Sequence, residues 1–597
     1  MYLERIGSPA DLKELDIEQL TCLAAEMRKA LIDTISTTGG HLGSNLGIVE
    51  LTIAIHHVFD TPRDKVVFDV SHQTACHKML TGRRDAFLDP EKYGSVTGYS
   101  DPDESIYDIF KTGHTSTSVS LACGLAKARD IRGTRENVIA VIGDASLDGG
   151  QSFEALNCGS ETGTGLIIIV NDNDMSIAEN HGYLHTHLAR LRESGGECPD
   201  NYFRALGYDY RFVRDGNDIS QVVEALKAVK GTDHPVVVHV FTQKGNGFGP
   251  AEKDMEKWHW AKPFDKETGE FKNTTKTTAT KPGYASITAD YLLNKMAKDP
   301  ELVVVTSASP ACIGFNRANR EKAGRQFLDL GICEQNAVSF TAALARGGCR
   351  AVYATNSTFI QRAYDQIEQE MCLGKCPVTL IVTHGSVYGH WNDVQSGLLD
   401  IALLGNIPNL VYLAPADRQE YLAMLDWSIG QDRLPVAIRM PGTPVTDEAG
   451  SAYATKDKDY SETRYEIKQK GSRVAVLALG GFFRLGEEIV RLYEEKTGEK
   501  ATLINPRFIT GCDSRTLEEL KKEHGIVVTI EDGILSGGFG GKIAGYYADS
   551  SMRVLSYGFS QEIPVRYEPP WLMERNRLTP ACIVGDILDH IRDAVFL

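Results

Sequence analysis

Short, unbroken runs of β-branched and aliphatic residues constrain the fold of this chain more than any other feature. They include residues 138–142 (VIAVI), 166–170 (LIIIV) and 235–241 (PVVVHVF). A strand with one wet face alternates apolar and polar residues. A run that is apolar at every position has to be covered on both faces, as in a parallel sheet held between helix layers. Segments of helical periodicity separate the runs, for example residues 219–229, with apolar residues at three- and four-residue steps. The same alternation returns at 302–306, 377–382 and 410–413, and again at 473–479, 501–504 and 525–531. Polar, aperiodic stretches at 262–282 and 446–463 divide the chain into three series and read as interdomain linkers. With 597 residues the chain exceeds what one hydrophobic core can organise. The expected architecture is α/β: three doubly wound α/β domains in tandem, covering residues 1–280, 281–460 and 461–597.

Charge and composition exclude several classes of function. The formal net charge is −17, with no block of consecutive lysines or arginines, so neither a nucleic-acid surface nor an anionic-membrane surface is expected. A local basic pocket for a phosphate is still compatible with that balance. The first sixteen residues carry scattered charges and no apolar core, unlike a signal peptide. No run approaches the roughly 18 apolar residues that cross a bilayer. Twelve cysteines are scattered, and the close pair Cys372 and Cys376 lacks a second pair to complete a zinc site. They are expected to be reduced thiols, mostly buried as small apolar groups, in a soluble cytoplasmic protein.

The most informative stretch is VIGDASLDGGQSFEALN, followed by LIIIVNDNDMSIAEN. Asp144 follows one apolar run directly, and Asn173 and Met175 follow the next, about 29 residues later. Both turns should leave the carboxyl edge of one parallel sheet, where α/β folds hold ligands. Mg²⁺ prefers oxygen donors in octahedral geometry and commonly bridges phosphates. The Asp144 carboxylate, the Asn173 amide oxygen and the Met175 carbonyl would supply three such donors. Gly143, Ala145 and Ser146 are small enough for the backbone to approach a diphosphate. Either turn alone is equally well explained as a strand end capping the next helix.

Taken together, the turns resemble the thiamine-diphosphate fingerprint, Gly-Asp-Gly followed by Asn-Asp or Asn-Asn, with Ala145 in place of the third residue. Ala145 needs a φ that alanine can adopt, so a small backbone adjustment is expected. GGHLGSNLGIVELTIAIHHVF, DVSHQTACHKMLTGRR, TGHTSTSVSLACGLAKA, QKGNGFGPAEKD, EQNAVSF, NSTFIQRAYDQ, RFITGCD and VTIEDGILSGGFG are similar to signature stretches of deoxyxylulose-phosphate synthases, a transketolase-like family. The likeness runs over essentially the whole chain. It implies a thiamine-diphosphate- and Mg²⁺-dependent enzyme that acts as a homodimer, with the cofactor between the first and second domains of one chain.

The resemblance also implies roles for particular residues. Glu334 would hydrogen-bond the cofactor's aminopyrimidine and so assist removal of the thiazolium C2 proton. Phe359 would stack on the pyrimidine, and Phe248 would lie beside the cofactor where the family usually has Tyr. His72, Gly113, His114 and Thr115 would line the diphosphate and thiazolium, with Asp144, Ala145, Ser146, Asn173 and Lys244 at the diphosphate and metal. His41 and His259 match donor-side histidines that hold or protonate groups of a 2-oxo acid, a task suited to imidazole because it exchanges protons near neutrality.

The acceptor side departs from the family pattern. His384 stands at an Arg position, Trp391 at an Asp position, Gln395 at a His position and Gly442 at the second Arg of Arg-Tyr-Pro-Arg-Gly. Asn356 and Asn336 replace Tyr and His, and the stretch between His187 and Tyr202 is shorter than usual. Arg362 is the clearest basic survivor for a phosphate. Replacing two arginines removes charge-assisted bonds of about 1.5–3 kcal/mol each. The expected activity is therefore carboligation of a 2-oxo acid, pyruvate by resemblance, with an aldehyde other than glyceraldehyde 3-phosphate. A genuine synthase with an unrecognised phosphate site, and a non-catalytic cofactor-binding paralogue, are the alternatives. Nicotinamide chemistry is disfavoured, because no apolar run is followed by G-x-G-x-x-G.

Overall fold

Each apolar run becomes a parallel strand. β1 (Lys65–Phe68), β2 (Val138–Gly143), β3 (Ile167–Asp172), β4 (Asp209–Val213) and β5 (Val236–Phe241) form a five-stranded sheet in the order β1-β2-β3-β5-β4, parallel throughout. Alternate residues of one strand enter different cores. Ile139, Val141, Ile167 and Ile169 pack on one face, and Ala140, Ile142, Ile168 and Val170 on the other. This two-sided burial is why the runs of this sheet are almost wholly apolar, and the one polar side chain inside them, His239, is hydrogen-bonded to Asp172 and Tyr210. The computed structural model describes residues 1–161, 163–272, 283–387, 394–442, 445, 459–562, 564 and 567–595. The chain divides into two compact units, Met1–Thr278 with Leu330–Cys333, and Ala279–Asp329 with Glu334–Leu597.

The first unit holds the sheet just described. Its helix Ile219–Lys227 buries Ile219, Val222, Val223 and Leu226, the periodic stripe read from the sequence, and Asp218 caps it through the Ser220 N–H. The polar stretch at 262–282 is only partly the expected linker. Phe264 is fully buried against Trp258 and Phe248, and Lys272 N–H returns to the Pro263 carbonyl, so its described first half is packed structure. Composition missed this because two aromatic rings, Phe264 and Phe271, anchor an otherwise hydrophilic segment.

The second unit contains two sheets. β6 (Leu302–Thr306), β7 (Phe327–Asp329), β8 (Arg350–Asn356), β9 (Val378–Thr383), β10 (Val411–Leu413) and β11 (Val436–Arg439) lie parallel in the order β10-β11-β9-β8-β6-β7. β12 (Glu466–Gln469), β13 (Arg473–Ala478), β14 (Thr502–Asn505), β15 (His524–Ile534) and β16 (Arg553–Phe559) form the other, in the order β12-β14-β13-β15-β16. Here β12 is antiparallel to β14 and the remaining pairs are parallel. β12 is half-exposed and polar, which is why no apolar run announced it. Only four of the twelve cysteines are buried, Cys76, Cys312, Cys372 and Cys376, fewer than expected, and all are free thiols. No helix among the described residues is long and apolar enough to cross a membrane.

Candidate functional site

In the first unit the carboxyl ends of β1, β2, β3 and β5 carry the motif residues. Directly after β1, the buried Asp69 accepts the N–H groups of Ser116 (2.8 Å), Thr117 (3.0 Å) and Ser118 (2.9 Å), capping the helix Ser118–Arg132 and fixing the Gly113–Thr115 turn before it. Val70 (φ +59°) and Ser71 (φ +66°) then take left-handed backbone, a costly choice for a β-branched residue, and deliver His72. Ser71 Oγ donates to the Thr112 carbonyl (3.0 Å) and accepts the Ser100 N–H (2.9 Å). Asn45 ties the two histidine segments together. Its Nδ2 donates to the carbonyls of His41 (2.8 Å) and His72 (3.0 Å), and its Oδ1 accepts the Ala75 N–H (3.0 Å).

The three histidines drawn from three separate motifs form one cluster. Ring centroids lie 4.9 Å apart for His41 and His72, 5.5 Å for His41 and His259, and 5.4 Å for His72 and His259. His72 Nε2 hydrogen-bonds Ser44 Oγ (3.1 Å), while His72 Nδ1 and His259 Nδ1 are buried without a partner. Burial, and then the Lys244 ammonium, lower the His41 pKa to about 4; burial drives those of His72 and His259 well below the usual range. This corrects the sequence argument from an ordinary imidazole pKa. Enclosure thus favours the neutral imidazoles, and a negative charge placed beside them would raise their basicity.

At the ends of β2 and β3, Asp144 is 2% exposed and its Oδ2 accepts a hydrogen bond from Asn180 Nδ2 (2.6 Å). Burial and the neighbouring Asp172 carboxylate push its pKa up to about 7. Asn173 Oδ1, Ser176 Oγ and Asn180 Oδ1 are buried with no hydrogen-bond partner. Ala145 lies in a single 3₁₀ turn, Ala145–Asp148, without left-handed backbone, so its methyl needs no glycine substitute. Ser116 Oγ donates to the Ser146 carbonyl (2.8 Å), linking this turn to Gly113–Thr115. After β5, the buried Lys244 donates to the Ser176 carbonyl (2.5 Å), and burial lowers its pKa to about 8. Phe248 is 7% exposed and packs edge-on to Trp258, so its ring belongs to the aromatic core of the unit. The short stretch after His187 closes with the Tyr202 N–H donating to His187 Nε2 (3.1 Å).

In the second unit Glu334 opens the helix Glu334–Arg346. It is 4% exposed, its Oε2 is buried without a hydrogen bond, and burial raises its pKa against the pull of Arg362. Arg362, expected on sequence grounds to hold a phosphate, lies 3.8 Å from Glu334 Oε2. Phe359 and Asn356 are half-buried and Asn336 is exposed. Thr383 Oγ1 donates to Asn356 Oδ1 (2.7 Å), and Ser357 Oγ donates to the carbonyl of His384, an exposed residue in left-handed backbone (φ +55°). Gln395 and Gly442 are half-buried, and Trp391 lies outside the described residues. Arg439 is 3% exposed and bonded to Asp400 and Asp532.

Three family models match successive parts of the chain: 1-deoxy-D-xylulose-5-phosphate synthase over residues 3–197, the transketolase pyrimidine-binding domain over 281–445, and the transketolase C-terminal domain over 463–583. A 1-deoxy-D-xylulose-5-phosphate synthase of Symbiobacterium thermophilum is 38% identical, covering 97% of this chain and 93% of that protein. The chain belongs to the 1-deoxy-D-xylulose-5-phosphate synthase family. Synthase 1 of Geobacter sulfurreducens is 38% identical over 92% of this chain and 91% of its own length; the synthase of Caldanaerobacter subterraneus is 35% identical over 99% of both.

Membership of this family makes the chain a transketolase-like transferase that uses thiamine diphosphate with a divalent metal. The residues present fit that pair of groups. Among the described residues no group of three His, Cys, Asp or Glu side chains is arranged to hold a metal ion by itself. Asn173 Oδ1 is instead a buried oxygen that accepts no hydrogen bond, at the end of the strand next to the one that carries the buried Asp144 carboxylate, and oxygens of this kind suit a hard divalent cation. Sequence reasoning passed over Asp69, Asn45, Asn180 and His185. His185 Nε2 lies 3.0 Å from both Asp148 oxygens; burial opposes protonation, but that carboxylate and then Asp144 keep its pKa above the ordinary value. Asp69 and Asn45 stand inside the quoted motifs, yet their targets are backbone groups that only a folded chain brings near.

Proposed function

We propose that this chain decarboxylates a 2-oxo acid, pyruvate in the first instance, and transfers the acyl group to an aldehyde that carries no phosphate. When bound, thiamine diphosphate supplies a nucleophilic carbon and an electron sink for loss of CO₂. The Asp144 carboxylate, Asn173 Oδ1 and the Met175 carbonyl would hold Mg²⁺, and Lys244 would face the diphosphate. Glu334, kept from solvent and with an Oε2 that accepts no hydrogen bond, would accept the aminopyrimidine hydrogen bond, while Phe359 offers a ring face. His41, His72 and His259 would donate to the carboxylate and carbonyl of the 2-oxo acid and gain basicity as that anion binds. These intact groups weigh against a non-catalytic paralogue. Assembly as a homodimer in the cytoplasm accompanies this reading.

One observation supports the acceptor assignment most. Arg439, the arginine retained in the diverged acceptor motif, has two carboxylate partners in a buried site, Asp400 and Asp532. A phosphate dianion needs charge-assisted donors that are not already neutralised. His384, Gln395 and Gly442 add no permanent cation, and Arg362 faces Glu334. The names of the relatives favour the second reading, a synthase that accepts glyceraldehyde 3-phosphate through other groups. Steady-state kinetics with pyruvate, comparing glyceraldehyde 3-phosphate and propanal, separates the two. The proposal expects kcat/KM at least about 100-fold lower for the phosphate, as two lost charged contacts imply. Efficient turnover of glyceraldehyde 3-phosphate would establish the second reading.

A further inference from the structure

Arg439 ends β11 and its guanidinium is the meeting point of three segments of the second unit. Nε and Nη2 donate to Asp400 (2.7 and 3.1 Å), at the start of the helix Asp400–Leu404. Nη1 donates to Asp532 Oδ1 and Nη2 to the Asp532 carbonyl (3.2 Å), inside β15 of the third sheet. Nη2 also reaches the carbonyl of Gly397 (3.3 Å), which in turn accepts the Ser386 N–H (2.9 Å). Tyr412 Oη donates to Asp400 and completes that carboxylate's shell. All four side chains of the hub, Arg439, Asp400, Asp532 and Tyr412, are at least nine-tenths buried.

The two described flanks of the acceptor-side segment, 384–387 and 394–397, rest directly on this hub. A Cβ on Gly385 would lie 2.8 Å from Arg439 Nε and 3.1 Å from Asp400 Oδ2, and one on Gly397 would lie 2.1 Å from the His384 carbonyl oxygen. Ser386 takes φ +146° and His384 φ +55°, backbone that persists only where the surroundings over-determine it. The guanidinium supplies that determination from one side. It is oriented from the other by Asp532, a residue of the C-terminal sheet, to which the sequence reading attached no role.

We propose that Asp532, acting through Arg439, is a positioning residue for the acceptor side, so that the C-terminal sheet holds the two flanks, 384–387 and 394–397, of the segment carrying His384 and Gln395 and thereby sets the choice of aldehyde. The inference rests on the reading that this segment faces the acceptor. Asp532→Asn keeps the size of the side chain but removes one of the two charges that lock the guanidinium. Gly385→Ala disturbs the same contact from the opposite side. Two measurements on the full-length protein loaded with thiamine diphosphate and Mg²⁺ test it. In hydrogen–deuterium exchange, amides of 384–387 and 394–397 should exchange at least about fivefold faster in both variants, with those of the helix Glu334–Arg346 unchanged. In kinetics, KM for the better of propanal and glyceraldehyde 3-phosphate should change by about fivefold or more, with cofactor C2–H/D exchange within twofold of the unmodified protein. If Asp532→Asn does not fold, Tyr412→Phe, which deletes a single hydroxyl at Asp400, takes its place. Unaltered amide exchange in the flanks, unaltered acceptor KM, or a parallel fall in C2 exchange would each overturn the inference. The preference of the unmodified protein between the two aldehydes tests the functional reading separately, because this inference is scored on the ratio of variant to unmodified protein.

Discussion

Replacing Lys244 by methionine separates a residue kept for binding from one kept for stability. The ammonium is 2% exposed and donates to the Ser176 carbonyl. Burial lowers its pKa from 10.5 to about 8, with Asp144 and Glu256 pulling the other way. A lysine whose folded pKa is depressed costs stability at every pH below that value, and the cost disappears as pH rises from about 8 towards 10.5. Two and a half pH units correspond to about 3 kcal/mol at pH 7. Lys244→Met removes that cost but leaves the Ser176 carbonyl without a donor, a loss of about 1–3 kcal/mol. The cofactor-free protein at pH 7 should therefore melt at the same temperature or up to about 8 °C higher, at roughly 2–4 °C per kcal/mol for a domain of this size. The cofactor complex should behave oppositely. Losing a charged contact to diphosphate of about 1.5–3 kcal/mol weakens thiamine diphosphate binding roughly 10- to 150-fold. Differential scanning calorimetry without cofactor, and titration calorimetry with thiamine diphosphate at saturating Mg²⁺, give the two numbers. A melting temperature that falls by several degrees without cofactor, or an affinity within threefold of the unmodified protein, would refute the argument.

Asp144→Ala should abolish cofactor binding in the same titration while circular dichroism stays unchanged, and Asn173→Ala should weaken the Mg²⁺ dependence; unchanged affinity in both would remove the metal assignment. Glu334→Gln should keep thiamine diphosphate affinity within about tenfold but slow C2–H/D exchange by about 10²–10⁴, the usual contribution of a positioned proton-transfer group. Exchange at the unmodified rate would show that another group assists deprotonation. Asn45→Ala frees the carbonyls of His41 and His72 together and should cost about 1–3 kcal/mol in denaturant unfolding, with pyruvate KM raised more than thiamine diphosphate affinity. A change in stability alone, without any in pyruvate KM, would make Asn45 purely structural.

The parallel sheets were legible in the one-dimensional pattern because burial on both faces leaves few polar positions in a strand, each of which needs a partner such as Asp172 for His239. Asp144 and Asn173 were legible for a related reason: consecutive parallel strands end at one edge, so turns that follow them must be neighbours. Glu334, Phe359 and the three histidines could be named only through resemblance, since nothing in a lone histidine's local sequence says which other histidine it will meet. Tertiary structure alone decided three matters. Packing around His41, His72 and His259 removed the water that would stabilise their charged forms, so their basicity is a property of the enclosure rather than of imidazole. Two aromatic rings turned the polar stretch after residue 262 from a linker into part of the first unit's core. Arg439, a basic residue in a phosphate motif by its sequence, is paired with two buried carboxylates, Asp400 and Asp532, once the chain has folded. Those carboxylates lie 39 residues before it and 93 after it, and charge compensation at that separation along the chain exists only once the sheets are assembled.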